Sequence, residues 1–251
     1  MITANRTDIG RVRQENEDSH WVEELQGGIV AAVVADGMGG HLAGEVASKL
    51  TVDALSASLG AIAPGMSNEE CETILRAAIK SANEIVFDTA SRNERYSNMG
   101  TTVVVAVIEG ERAVIGHVGD SRIYRLDADG LIQLTDDHTL VNELLKSGQI
   151  TAEEAANHPR RNVIMRAVGT DPEVEADVSI ASLSPADLLM LCSDGLTDMV
   201  SHEQMLETLQ SETLDLDGKA DRLIQLALQA GGDDNITVIL LQGAASKNRE
   251  G

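Results

Sequence analysis

Residues 29–41 read I-V-A-A-V-V-A-D-G-M-G-G-H, and this stretch decides how the rest of the chain is read. Seven consecutive apolar residues, three of them valine and one isoleucine, are too short for a helix of ordinary length and rich in side chains that prefer a strand. A strand apolar on every position is buried on both faces, so layers must cover it above and below. The run stops at Asp36-Gly37, and a helical pattern over residues 42–59 follows. A second run, L-L-M-L-C-S at 188–193, stops in the same way at Asp194-Gly195, again before a helix. Asp129-Gly130 supplies a contrast. It lies between residues 122–126 and 131–134, both strand-like, where Asp-Gly accepts the positive φ of a tight hairpin turn. That explanation fails for Asp36 and Asp194.

Working outward, buried strands are expected at residues 29–35, 101–108, 113–118, 122–126, 188–192 and 236–241, with a weaker one at 19–23. Helices are marked by caps and periodicity. Cys71, Ile74, Leu75, Ala78, Ala82, Ile85 and Val86 recur at helical spacing after the capping box Ser67-Asn-Glu-Glu70. Thr151-Ala-Glu-Glu154 and Ser201-His-Glu-Gln204 open two more, and residues 219–230 complete the set. Strands in hairpins, kept apart from long helices, imply an α+β layer fold with sheets inside and helices outside. No repeat or proline-rich linker divides the 251 residues, so residues 1–245 are expected to form one domain ahead of a frayed tail at 246–251.

The balance of 41 acidic against 19 basic residues gives a formal net charge of −22. Such a surface repels nucleic acid and anionic lipid, which are bound through clustered Lys and Arg. No apolar run reaches the eighteen residues of a membrane span, and M-I-T-A-N-R-T-D-I-G lacks the layout of a secretory leader. Cys71 and Cys192 cannot make a disulfide framework. The expectation is a cytoplasmic monomer with a core of Val, Ile, Leu, Ala and Met, since only four aromatic residues are present.

Asp36, Asp120 and Asp194 follow expected strands and Asp234 precedes one. If the last strand runs antiparallel to the others, all four carboxylates meet on one rim. Charges so placed must take up protons or bind cations. Oxygen donors favour Mg²⁺ or Mn²⁺ over Zn²⁺. Two such ions about 3.5–4 Å apart can share a carboxylate and generate a hydroxide at neutral pH. For any single aspartate a helix cap or a turn is an equally good explanation; four at strand ends are not explained so. Gly37, Gly39 and Gly40 allow close backbone approach to an ion. Arg13, with Asn16, Glu17 and Asp18 after it, pairs a phosphate-gripping guanidinium with acids suited to orienting water, although taken alone the segment reads as a charged surface stretch.

Seven pieces occur in order: R-x-x-N-E-D at 13–18, V-A-D-G-M-G-G-H at 34–41, M-G-T-T at 99–102, H-V-G-D-S-R at 117–122, D-D-H-T at 136–139, C-S-D-G-L-T-D at 192–198 and G-G-D-D-N-I-T-V at 231–238. Together they resemble the metal-dependent Ser/Thr protein phosphatases, the type 2C or PPM family, and its short bacterial members in particular. The resemblance covers about residues 3–242. It implies two packed antiparallel β-sheets flanked by α-helices, a four-layer αββα sandwich, with a flap at 139–168. It implies hydrolysis of phosphoserine and phosphothreonine by a hydroxide bridging two Mn²⁺ or Mg²⁺ ions, in opposition to a bacterial Ser/Thr kinase. Asp36 would bridge the ions, the Gly37 carbonyl would bind one, and Asp194 and Asp234 the other. Asp120 with Asp194 could hold a third. Glu17 and Asp18 would orient waters, Asn235 would support Asp234 or a water, and Arg13 would bind the phosphate.

Met38 stands where the animal branch has a histidine thought to protonate the leaving group, so the general acid is unassigned; His41 and a metal-acidified water are the alternatives. Arg161 in the flap could attract an acidic or phosphorylated substrate, or be a solvated helix-start arginine. Asp198 is expected in a loop near a helix start, with support of a metal ligand as the alternative. Other chemistries find no support. Cys192 and Cys71 are followed six positions later by Asp198 and Ala77 rather than arginine, Gly218-Lys219-Ala220 is no phosphate loop, and Leu42 stands where a dinucleotide fingerprint needs its third glycine. A non-catalytic binding module would be signalled by lost metal aspartates, and none is lost. Small phosphate esters and phosphohistidine are not separated from phosphoserine by the sequence.

Overall fold

The structure, a computed structural model, describes residues 1–39 and 43–243. Two antiparallel sheets form its centre. The first contains β2 (Asp18–Glu24), β3 (Val30–Met38), β5 (Val103–Glu109), β6 (Arg112–Val118) and β9 (Asp177–Ser182), in the order β2-β3-β5-β6-β9, with β4 (Gly100–Thr101) added to the end of β3. The second has the order β1-β11-β10-β7-β8, from Ile2–Asp8, Ile236–Gln242, Leu188–Cys192, Arg122–Asp127 and Gly130–Gln133.

The apolar runs divide their side chains between two cores because successive residues of a strand point to opposite faces. Val30, Ala32 and Val34 pack between the sheets against Ile123, Leu189, Leu191, Ile239 and Leu241. Ala31, Val33 and Ala35 face the other way, onto α1 (Ala43–Leu59) and α2 (Asn68–Arg92) through Ala47, Leu55, Leu75 and Ile79. The second sheet turns Leu188, Met190, Val238 and Leu240 toward α6 (His202–Gln210) and α7 (Leu216–Ala230), meeting Met205, Leu209, Leu223 and Ala227. Helix, sheet, sheet, helix is the expected order of four layers.

All three expected capping boxes are formed, at Ser67 with Glu70, Thr151 with Glu154, and Ser201 with Gln204. Helix α7 starts earlier than expected, because the Asp215 side chain accepts from Gly218 N–H and caps it. The Asp129-Gly130 hairpin joins β7 to β8, and Asp127 Oδ1 accepts the N–H of Asp129 and Gly130. Between β8 and β9 lie α3 (Leu140–Lys146), capped by the Thr139 side chain, and α4 (Ala152–Ala156). Leu42, the expected first residue of α1, and the tail at 246–251 lie outside the described residues.

Candidate active site

The rim where the two sheets' acidic strand ends meet collects the aspartates. Asp18 opens β2 and stands opposite Asp36 on β3. Asp36 does not follow its strand as expected. It lies inside β3, which continues through Gly37 and Met38 by pairing with β4. Asp120 follows β6, Asp194 follows β10 and opens the short helix α5 (Asp194–Thr197), and Asp234 precedes β11, which runs antiparallel to β10.

Each carboxylate is held by a local device. Asp36 donates its N–H to Thr102 Oγ1 at 3.1 Å, and its carbonyl accepts from Thr101 Oγ1 at 2.8 Å and Thr102 N–H at 2.9 Å. Thr102 Oγ1 also meets Ser121 Oγ at 2.6 Å, tying the Asp36 strand to the turn carrying Asp120. Asp18 Oδ2 accepts from both Ser193 Oγ (2.8 Å) and Thr237 Oγ1 (2.7 Å), so the two sheets jointly grip one carboxylate oxygen. Its other oxygen, Oδ1, is buried without a partner, as is Asp120 Oδ1. Gly37 is packed so closely that a Cβ there would collide with the Gly44 carbonyl, which excludes every other residue type.

Crowding shows in the acidities. Burial, with the charges of Asp194 and Asp234, pushes the Asp18 carboxyl up to about 7 despite its two hydroxyl partners. Burial, then Asp194 and Asp137, pushes Asp120 up to about 8. Burial and Asp198 raise Asp194 to about 6. Asp36 is raised well above the ordinary carboxylate range by burial and by Asp18, Asp194 and Asp120, and its carboxyl is close enough to that of Asp194 to share a proton. Acids that cannot all ionise together must hold protons or take up cations.

The other expected residues fall on the same rim with altered partners. Arg13 Nη2 donates to Asp234 Oδ2 at 2.6 Å, so the guanidinium lies on a carboxylate of the ring. Glu17 Oε1 accepts from Gly44 N–H at 3.2 Å, and burial raises its carboxyl. Asn235 was expected to support Asp234 or a water through its side chain. Only its backbone N–H reaches Asp234, at 2.8 Å. Its side chain instead fastens the N-terminal loop, donating to the carbonyls of Ile9 (2.9 Å) and Glu15 (3.0 Å) and accepting Glu17 N–H (2.8 Å). Arg161 lines a cavity of about 230 Å³ with Asp120, Arg122, Asp137, Asp194 and Asp198, and its charge works against the burial that raises Asp198. Asp198, expected in a loop near a helix start, caps the C-terminal end of α5 and lines the same cavity. His41 lies outside the described residues.

Ser193, Thr237, Thr101 and Thr102 were not singled out from the sequence as working residues. The signal was their position within C-S-D-G, N-I-T-V and M-G-T-T, each beside a carboxylate or its strand partner. One more cluster was not foreseen. Among the described residues, His117, His138 and Asp177 are the trio whose donor atoms all lie within 4.8 Å of one another.

The sequence profile of the family described as Protein phosphatase 2C matches residues 10–229. The serine/threonine phosphatase stp of Listeria monocytogenes is 45% identical over 237 residues, covering 94% of each chain. The solved structure of the S. agalactiae serine/threonine phosphatase superposes with a TM-score of 0.91 at 38% identity, covering 97% of this chain and 99% of that one. The catalytic domain of the serine threonine protein phosphatase PstP, solved in complex with two manganese ions, superposes with a TM-score of 0.83 at 38% identity, covering 95% of this chain and 96% of that one. With a matching profile over most of its length, the same two-sheet fold and an aspartate ring on one rim, this chain belongs to the protein phosphatase 2C family and is a serine/threonine protein phosphatase.

Proposed function

We propose that the enzyme works with two Mn²⁺ or Mg²⁺ ions held by Asp36, the Gly37 carbonyl, Asp194 and Asp234, with a third ion between Asp120 and Asp194. The observation that carries this is the pair of buried, unpartnered oxygens, Asp18 Oδ1 and Asp120 Oδ1, on two acids that hold protons above the ordinary carboxylate range. A buried carboxylate oxygen without a donor is costly unless a cation or an ordered water serves it. The donors are all oxygen, which suits hard ions. Bound there, such ions would acidify a water and offset the charge of a phosphate.

The chain's own residues do the rest. Ser193 and Thr237 saturate Asp18 Oδ2 and so aim Oδ1 at the ring, where it can accept from a water and orient it. Glu17 serves the same purpose from the α1 side. Arg13, on the rim and half exposed, exchanges its Asp234 contact for two phosphate oxygens of the substrate. Asn235 keeps the loop bearing Arg13 and Glu17 in place. The segment 139–168 is the flap, with Arg161 facing the aspartates across the cavity and reading acidic or phosphorylated surroundings. A bound ion would also supply an acidified water able to protonate the leaving group.

The substrates are phosphoproteins of a Ser/Thr kinase, and one copy of the chain supplies every residue of the site. No described helix is long and apolar enough to cross a membrane. A cytoplasmic location is supported by two buried, unpaired cysteines, which suit a reducing compartment. The test is hydrolysis of p-nitrophenyl phosphate and a phosphothreonine peptide with Mn²⁺ and with EDTA, beside Asp36→Asn. Activity should vanish in EDTA and in the variant; survival of either activity sinks the assignment.

A further inference from the structure

Asp120 hangs from a turn that one residue holds on both sides. Gly119 N–H donates to His138 Nδ1 at 3.1 Å, and the Gly119 carbonyl accepts His138 N–H at 2.9 Å. Gly119 has φ +103, and a Cβ there would come within 2.6 Å of Thr102, so the turn has no freedom to be rebuilt with another residue. His138 is 5% exposed. Its ring stacks on that of His117, with centroids 4.5 Å apart, and His117 Nε2 donates to the Asp136 carbonyl at 2.9 Å. Because Nδ1 accepts, the ring's proton is on Nε2, which faces Asp177 Oδ2 at 3.4 Å. Arg166 Nη1 lies 3.3 Å from that nitrogen and 2.8 Å from Asp177 Oδ1.

This arrangement answers what the cluster is for. Its spacing is that of a metal site, but His138 Nδ1 is engaged with Gly119 and Arg166 already sits on Asp177 and beside His138 Nε2. We propose that His138 is a positioning residue that sets the Gly119–Asp120 turn, and through it the aim of the Asp120 carboxylate toward the third cation, while Asp177 fixes the tautomer that makes Nδ1 an acceptor. This rests on the reading of Asp120 as a cation ligand. Among the described residues the buried Asp120 Oδ1 has no hydrogen-bond partner, so its aim is left to the turn.

The experiment counts bound Mn²⁺ from the electron paramagnetic resonance of the free ion, for the wild type and for His138→Ala, His138→Gln, His138→Asn, Asp177→Ala and Asp120→Asn. Asparagine can present Oδ1 where Nδ1 stands; glutamine reaches instead to the Nε2 position and cannot. Outer residues that orient a ligand change affinity by roughly 10–100-fold. His138→Ala and His138→Gln should weaken the loosest class of Mn²⁺ by roughly tenfold or more and leave the tighter class alone, with His138→Asn restoring it. Equal binding by His138→Gln and wild type, or no rescue by asparagine, overturns the proposal. Asp177 is half exposed and its loss leaves the core intact, so Asp177→Ala decides the matter if the His138 variants do not fold. Without Asp177, Arg166 donates to Nε2 and drives the proton to Nδ1, weakening the same class; unchanged binding overturns the proposal. If Asp120→Asn loses that class while the His138 and Asp177 variants keep it, the positioning role alone falls. If Asp120→Asn binds like wild type, the reading of Asp120 falls with it.

Discussion

Asp18→Asn should make the metal-free protein more stable at pH 8 and not at pH 5. Asp18 is 8% exposed, and its carboxyl is raised from 3.8 to about 7, by burial first and then by Asp194 and Asp234. A raised carboxyl stabilises the fold fully below the unfolded value near 3.8. Between there and about 7 the folded state keeps a proton that the unfolded chain has released, so stability falls as pH rises; above about 7 the loss is complete. A rise from 3.8 to about 7 corresponds to about 4 kcal/mol. Asparagine removes that ionisation and keeps an oxygen for Ser193 and Thr237, but turns a buried N–H₂ toward the place where Oδ1 had no partner. An unsatisfied buried donor costs about 1–3 kcal/mol, leaving a net gain of about 1–3 kcal/mol at pH 8. At roughly 2–4 °C per kcal/mol for a chain of this size, Tm should rise by about 2–12 °C. The assay is thermal unfolding by circular dichroism in EDTA at both pH values. At pH 5 the unfolded chain has already released its proton while the folded state keeps it, so about 1.7 kcal/mol of the loss is present and roughly cancels the donor penalty, and the variant should lie close to the wild type. A variant less stable by the same margin at both pH values refutes the argument, because the charge of Asp18 would then have no part in it.

Three other outcomes follow from the contacts around the ring. Ser193→Ala and Thr237→Val should each reduce kcat in saturating Mn²⁺ by roughly 10–100-fold, since each frees Asp18 Oδ2 to swing, and the double variant should cost less than the product of the two. Steady-state kinetics of the set checks this. Asn235→Ala removes two donated bonds and one accepted bond, so backbone amides of residues 9–17 should exchange faster in hydrogen-exchange measurements, with KM for p-nitrophenyl phosphate rising through Arg13. Arg161→Ala should reduce turnover of a phosphothreonine peptide more than that of p-nitrophenyl phosphate; equal effects would argue against a substrate-reading flap.

The central strands were legible because burial on both faces leaves an unbroken apolar run, as in residues 29–35. The strands that were missed lie at sheet edges. Ile2–Asp8 buries only Ala4, and Asp177–Ser182 buries none of its six residues, so neither carries the hydrophobic pattern that marks a strand. Edge strands are defined by their neighbour's hydrogen bonds, which no single segment records. The aspartates were legible for a similar reason: strand ends can be read locally, and four acids there need an explanation. Their supports could not be read this way. Thr237 and Ser193 reach Asp18 only because β10, β11 and β2 come together across the two sheets, and His138 reaches Gly119 across 19 residues of chain. Asn235 shows the same limit. Its place beside Asp234 suggested a role in the ring, whereas its side chain serves a loop more than two hundred residues away in sequence.

The most direct test of the account is where manganese goes. Anomalous diffraction from crystals grown in Mn²⁺ should give strong peaks ringed by Asp36, Asp194 and Asp234, a further one beside Asp120, and none at His117, His138 and Asp177. Density at the histidine pair with an empty aspartate rim would contradict it.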